Sequence, residues 1–537
     1  MRVSPAGDDT KDGSAWSTAK RTVQAAVDAV AGGGEVWIAA GTYSGKVQLQ
    51  NGVSLYGGFA GYETTREARN PSGNYSILEA DSLSDTITLS VGGCQIVDGV
   101  IIRHTSVAMY GIISRFCGVL VNNCEITSSA NGINSDGSFL RVRNSRLHSN
   151  QYGVRGRFNG EITGCTFSNT TGYGVDVIGD PSISDNLFSY PGVGAVMVSG
   201  AAVVASNTIT SAGTANYGVW AIGASHVIGN RITNTTYGIY ATGATVSISS
   251  NVVTQTKESA ISVNLAAGTE TVIGYNTITA STKAAIWVKS GSPLINNNVI
   301  KNNQSTAAGG ALYLEGANAV LANNLIANNR TTDKGAGIYV HSGTVKVVNS
   351  TLTHNTSTQD GGALYARAGN VSLINTLVSF NSSGIAVTPD ATVVLSHTDV
   401  FANPAYDFLG MDSPIGTNGN ISVDPKYVDP ATMDYHLFDT SPVINVGLNT
   451  EVIGSKDVYG VDRIQHETVD LGAAEFDVAG SFGLGYVIQA LRIVGGLSVC
   501  QGADLPLLDY EVTGDSAGKI TLRDPVRIIR KVLGVDP

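Results

Sequence analysis

Charge is scarce in this chain. Asp, Glu, Lys and Arg make up 14% of 537 residues, and acids outnumber bases 43 to 32, for a net charge of −11. That balance argues against a nucleic-acid partner, which requires a basic face. No apolar run is long enough to span a membrane. Cysteine is sparse: Cys94, Cys117, Cys124, Cys165 and Cys500 form an odd set without metal spacing. A disulfide framework and a cysteine metal site are therefore excluded, and buried free thiols are expected. No secretion leader is visible at Met1-Arg2-Val3-Ser4-Pro5, so a trimmed mature form is expected. The isolated His104, His226, His354 and His397 have no metal-ligand spacing.

What the chain does have is Gly, at 64 residues, together with much Asn, Ser, Thr and Val. That mixture suits tight turns and β-branched strands rather than helices. From about Val91 to Phe401 one short phrase recurs. It begins with a small residue and alternating apolar residues, as in Tyr152-Gly153-Val154, Tyr173-Gly174-Val175 and Gly337-Ile338-Tyr339. It ends with an Asn before apolar residues, as at Asn144, Asn186, Asn207, Asn230, Asn251, Asn276, Asn298, Asn324 and Asn375. The period grows from 21 residues to about 25, in the range of a solenoid.

Alternation along a strand turns the repeat into a surface map. Ile112, Ile133, Val154, Val175, Val196, Val219, Ile239, Ile261, Ile286, Leu312, Ile338, Leu364 and Ile385 form an inward aliphatic column. The Asn column reads as a buried amide ladder that satisfies turn backbone groups. Ahead of the array, Thr22–Ala31 has helical spacing, Gly32-Gly33-Gly34 stops it, and Glu35–Ala39 reads as the first strand. A helix over the open end would cover strand edges.

Gly41-Thr42-Tyr43, Leu55-Tyr56-Gly57-Gly58-Phe59 and Ile77-Leu78 resemble the N-terminal coils of secreted bacterial right-handed parallel β-helix proteins. Asp424-Pro425-Lys426-Tyr427-Val428, Tyr435-His436-Leu437 and Val469-Asp470-Leu471-Gly472-Ala473-Ala474-Glu475-Phe476 resemble that group's closing segment. The resemblance implies an all-β, right-handed, single-stranded parallel β-helix and an extracellular or cell-surface location. It implies little about activity, because the scaffold carries lyases, hydrolases, adhesins and structural proteins. The expected divisions are a cap at 1–45, coils at 46–400, a closing segment at 401–476 and a separate module at 477–537.

That last module pairs two amphipathic helical stretches, around Tyr486–Val494 and Leu522–Val532. It resembles a degenerate duplicated dockerin, which implies a cohesin-like or other cell-surface anchoring partner. Its second loop offers Glu511, Thr513, Asp515 and Asp524 as oxygen ligands for calcium. The first retains Asp477 alone, and intact calcium loops need several ligands at alternate positions.

The outward column between the aliphatic positions is not uniform. It runs Ile113, Asn134, Arg155, Asp176, Met197, Trp220, Tyr240, Ser262, Trp287, Tyr313, Tyr339, Tyr365. The next outward column includes Arg115, Asp136, Arg157, Lys289, Glu315, His341 and Arg367. Two patches result: Arg115, Asn134, Asp136, Arg155, Arg157 and Asp176, then Trp287, Tyr313, Tyr339 and Tyr365 with their charged neighbours. Asp333, Lys334 and Asp360 lie on turns leading into the second. Sugar rings stack on aromatic faces, so the patches suggest a polysaccharide groove, with Trp220 and Tyr240 as further contacts. On a uronate, β-elimination needs a base for the C5 proton and cations for the carboxylate. Tyr339 or His341 would be the base, and Arg367 and Lys289 the neutralisers. Hydrolysis would need two carboxylates, with Asp333, Asp360 and Glu315 the nearest. The competing reading is a non-catalytic adhesin or structural rod. In that reading the tyrosines are a cross-strand ladder and the alternating charges a surface ladder. The polygalacturonase-like motif set and a clustered Asp triad for calcium are both absent.

Overall fold

The computed structural model describes residues 1–477, apart from 31, 81–84, 90–93, 105–108, 117, 214, 244 and 466. The module expected at 477–537, with Glu511, Thr513, Asp515 and Asp524, lies outside the described residues except for Asp477.

The chain winds into a parallel β-solenoid. A coil lays down three short strands, such as Tyr173–Ile178, Ser182–Ser184 and Leu187–Ser189, and three later coils add a fourth, Gln304–Ser305, Arg330–Thr331 and Thr356–Ser357. The first two strands of successive coils belong to one 29-stranded sheet, and the third strands form a 16-stranded sheet. The expected register holds throughout: Ile112 pairs with Ile133, Val154 with Val175, Ile286 with Leu312 and Ile338 with Leu364. Every member of the inward column is fully buried. Each such side chain contributes roughly 1.5–3 kcal/mol by leaving water, so the column is a continuous core. It also extends beyond the thirteen positions of the expected column, to Val47 and Ile87 within the expected coils and to Phe408 past their end.

The helix at the start is Val23–Ala29, capped by the Thr22 hydroxyl accepting from the Ala25 amide at 3.3 Å. Its Val23, Ala26 and Val27 join the same core. Arg2–Val3 forms a strand of its own, beside Gly34–Ala39.

The Asn ladder is real from Asn186 to Asn324. Each side-chain amide donates to the next Asn carbonyl, as from Asn186 to Asn207 at 3.0 Å, and to a main-chain oxygen, as to Ile162 at 2.9 Å. Asn144 and Asn375 are corrections. Each occupies the left-handed corner one residue earlier, at φ 47° and 50°, a conformation that Asn tolerates. Ser145 takes the ladder position after Asn144, accepting from the Cys124 amide at 3.1 Å. A second ladder, Asn303–Asn329–Asn355–Asn381–Asn403, lines another corner.

Cys124 and Cys165 are buried free thiols, and desolvation pushes them up to about 12 and about 11. Cys94 is exposed, contrary to expectation.

The segment after Phe401 does more than close the end. It folds back over the 16-stranded sheet, where Tyr427, Tyr435, Leu437, Val443 and Leu471 cover Leu325 and Leu377. Corner asparagines hold it in place: Asn297 donates to the Asp457 carbonyl at 2.8 Å and Asn323 to that of Ile453 at 2.8 Å.

Candidate functional site

The outward column falls in register as the alternation requires. Asn134 pairs with Arg155, Arg155 with Asp176, Trp220 with Tyr240, Trp287 with Tyr313, and Tyr339 with both Tyr313 and Tyr365. From Arg155 to Trp287 the column climbs through Asp176, Met197, Trp220, Tyr240 and Ser262. At about 4.8 Å per coil that is roughly 29 Å, so the two patches are separate places on one face.

In the first patch, Arg155 Nε lies 3.0 Å from Asp176 Oδ2 and its guanidinium sits 4.3 Å over the Tyr152 ring. Burial holds the Asp176 carboxyl above its ordinary value, against the pull of Arg155. Asp136 aligns with Arg115 and Arg157. All three are exposed, and no ion pair joins them among the described residues.

The middle of the face carries a ring cluster. Trp220 and Tyr240 lie 6.0 Å apart, with Tyr217 5.0 Å from Trp220 and Tyr237 5.6 Å from Tyr240.

In the second patch the tyrosines stack on one another. Tyr313 and Tyr339 are 5.0 Å apart and 13° from parallel, and Tyr339 and Tyr365 are 5.4 Å apart and 6° from parallel. Tyr339 and Tyr365 are 8% and 9% exposed, so neither presents a free ring face to a sugar. Desolvation also holds the Tyr339 hydroxyl above its ordinary value, although Arg367 pulls the other way. Proton removal from Tyr339 is thus disfavoured by its burial. Tyr365 belongs instead to a polar group at the end of the stack. Lys334 Nζ donates to its hydroxyl at 3.2 Å, and the Tyr406 hydroxyl donates to Asp360 at 3.2 Å.

Trp287 is different. It meets Tyr313 edge-on at 6.2 Å. The two rings border an open cleft of about 230 Å³ that also involves Glu258, Lys283 and Ala308. Glu258 and Lys283 escaped the sequence reading because they sit on turns, where strand alternation assigns no face.

The charged column deviates from simple alternation. Glu315 pairs with Ser342, so His341 is an extra, bulged residue. Arg367 donates a guanidinium N–H to His341 Nε2. Lys289 is exposed and Glu315 half-buried. Neither joins an ion pair among the described residues, so the expected Lys289–Glu315–His341–Arg367 charge ladder does not form. Among the described residues no cluster of His, Cys, Asp or Glu is arranged to hold a metal, and no helix is long and apolar enough to cross a membrane.

A family model described as "Right handed beta helix region" matches residues 87–232 and 191–352. The chain carries a right-handed β-helix region. The matched residues contain the first patch and Trp287, Tyr313, Tyr339 and His341 of the second, while Tyr365 and Arg367 lie beyond them. No curated protein matches the sequence. Among solved structures, the β-helix chain is similar to the periplasmic alginate epimerase AlgG, at 13% identity over 68% of this chain and 78% of that one, with a TM-score of 0.32. It is also similar to the catalytic unit of a GH87 alpha-1,3-glucanase from Streptomyces thermodiastaticus, at 14% identity over 73% and 66%, TM-score 0.27. A third is pectate lyase Pel9A, at 13% identity over 89% and 97%, TM-score 0.22.

Proposed function

We propose that this β-helix is an extracellular polysaccharide-binding protein whose ligand lies on the outward face between Trp287 and Arg367. The observation that carries the reading is the open cleft bordered by Trp287 and Tyr313. An aromatic pair that opens onto a cleft with an acid and a base is suited to a sugar ring and its hydroxyls. Beyond it, exposed Lys289 and Arg367 supply cations for a carboxylate, which favours an acidic glycan. The tyrosines behind the cleft are the scaffold of the site: they stack on each other and set the position of the Tyr313 ring.

A second reading, β-elimination on the same ligand, is favoured by the contact of Arg367 with His341. Nε2 of His341 accepts from Arg367 and therefore carries no proton. A uronate carboxylate that engages Arg367 would draw the guanidinium away and leave that lone pair free to take the C5 proton. His341 is then the base and Arg367 the neutraliser.

The test is affinity electrophoresis through gels containing pectin, alginate or a glycosaminoglycan. The chain should be retarded in at least one, and Trp287→Ala should migrate as in a blank gel. Equal mobility of wild type in every gel would remove the binding reading. For elimination, the same glycans should yield products that absorb as unsaturated uronates, and a flat trace would remove it.

A further inference from the structure

We propose that the cleft beside Tyr75 is a second ligand site, built for a neutral hexose unit of a glycan. Nothing in the solenoid requires the excursion of residues 60–75 between the strands Val53–Phe59 and Ser76–Ala80. It is nonetheless firmly held. Arg69 Nη2 lies 2.9 Å from Asp98 Oδ1, with the two side chains 13% and 9% exposed. Arg69 Nη1 also donates to the Gly57 and Asp98 carbonyls at 3.2 and 3.3 Å. Gly58 sits at φ 93°, and a Cβ there would lie 2.6 Å from Pro71. The excursion therefore packs tightly against the coil.

Its end places Tyr75, 54% exposed, beside the coil corners that carry Asn123, Glu125, Asn144 and Arg146. Together they enclose about 500 Å³, room for a hexose. The polar groups converge. Glu125 Oε1 meets His148 Nε2 at 3.0 Å, and Glu125 Oε2 lies 3.7 Å from Arg146 Nη1. Asn123 and Asn144 spend their amide N–H groups on Asp98 and Asn122, at 3.3 Å each. Their carbonyl oxygens remain as acceptors. The cleft thus offers a flat aromatic face, three oxygen acceptors and one guanidinium donor, the complement of a hydroxylated ring. Glu125 already balances Arg146, so the site has no surplus positive charge for a uronate. It lies at the start of third strands, whereas Trp287 lies within a first strand, and it does not depend on the reading of that face.

The test uses the full chain and saturation-transfer NMR with the methyl glycosides of glucose, galactose and mannose, and of glucuronate and galacturonate. At least one neutral glycoside should receive saturation from wild type and equally from Trp287→Ala. Tyr75→Ala should weaken that binding tenfold or more without moving the melting curve, since the side chain is exposed. Arg146→Gln should weaken it as well. No saturation of any neutral glycoside, undiminished binding by Tyr75→Ala, or a loss of uronate saturation on Tyr75→Ala that exceeds the loss of neutral-glycoside saturation would each overturn the proposal.

Discussion

Arg367 donates to Nε2 of His341, across neighbouring coils, at the place where the outward column bulges. A guanidinium can only donate, so Nε2 is the accepting nitrogen of this pair. A carboxylate ligand competes for the same guanidinium. Nitrogen NMR of the histidine rings should show His341 Nε2 losing its hydrogen bond as an acidic oligosaccharide is added. Arg367→Ala should give the same Nε2 signal without ligand. His341 signals that ignore the oligosaccharide would separate the pair from the site. If elimination occurs, His341→Ala should lower its rate roughly 100-fold or more, the usual contribution of a general base.

Trp287 and Tyr339 belong to one column but do different work. Trp287→Ala should abolish retardation in polysaccharide gels and, since the ring is only half-buried, lower stability less than Tyr339→Ala does. Tyr339 lies between two stacked rings and is nearly covered, so Tyr339→Ala should cost roughly 3 kcal/mol of stability through lost packing and ring contacts. Denaturant melts of the two variants beside the gels distinguish them. A Trp287→Ala protein that loses as much stability as Tyr339→Ala would make the whole column a structural ladder.

The contrast shows what strand alternation can reveal. Period two assigns each residue to the inside or the outside, and the aliphatic column and outward registers follow directly. It does not say whether an outward ring shows its face or its edge, because that depends on the neighbouring ring one coil away. Hence Trp287, Tyr313, Tyr339 and Tyr365 read as equivalent in sequence and differ in space. Nor does it reach the turns, so Glu258, Lys283 and the Tyr75 excursion stayed invisible. The displacement of Asn144 and Asn375 by one residue has the same origin. Asn suits both a buried ladder and a left-handed corner, and only neighbours such as Ser145 decide between them. The return of residues after 401 over the third-strand sheet was unreadable for a further reason. The apolar residues it covers, such as Leu325 and Leu377, look like ordinary strand residues.

Asp399 lies fully buried beneath that returning segment, with Oδ1 accepting from the Val423 amide at 2.8 Å and Oδ2 without a partner. Burial, with lesser repulsion from Asp407 and Asp424, pushes its carboxyl up to about 7. Between the unfolded value and about 7 the folded chain keeps this proton while the unfolded chain has released it. Stability from this group is thus full at low pH and is lost as pH rises through about 7, on the order of a few kcal/mol. Asp399→Asn keeps an acceptor for Val423 and removes the charge. Its urea midpoint should exceed that of wild type at pH 8, with the gap closing toward pH 5. Parallel profiles would show that Asp399 titrates normally.

Among the described residues Arg463 is the largest fully buried side chain, and it lies 3.2 Å from Glu475 in the closing segment. Its Nη2 also donates to the Gly472 and Asp470 carbonyls at 2.6 and 3.3 Å. Burial pushes the Glu475 carboxyl up, against the pull of Arg463, so the acid is strained toward its neutral form. Asp457 and Asp470 are buried nearby and take their partners from the main chain, including the Glu475 and Phe476 amides at 2.9 and 2.6 Å. Removing Arg463, the one cation paired with Glu475 among the described residues, leaves that acid without its counter-charge in a dry interior. Arg463→Met should therefore cost about 3–5 kcal/mol, while Arg463→Met with Glu475→Met should recover much of it, since a buried pair replaced whole is often neutral. The loss should appear first as release of the segment from the sheet, read as proteolysis near residues 453–473 before global unfolding. A double variant as weak as the single one would show that the pair organises the segment by geometry rather than by charge balance.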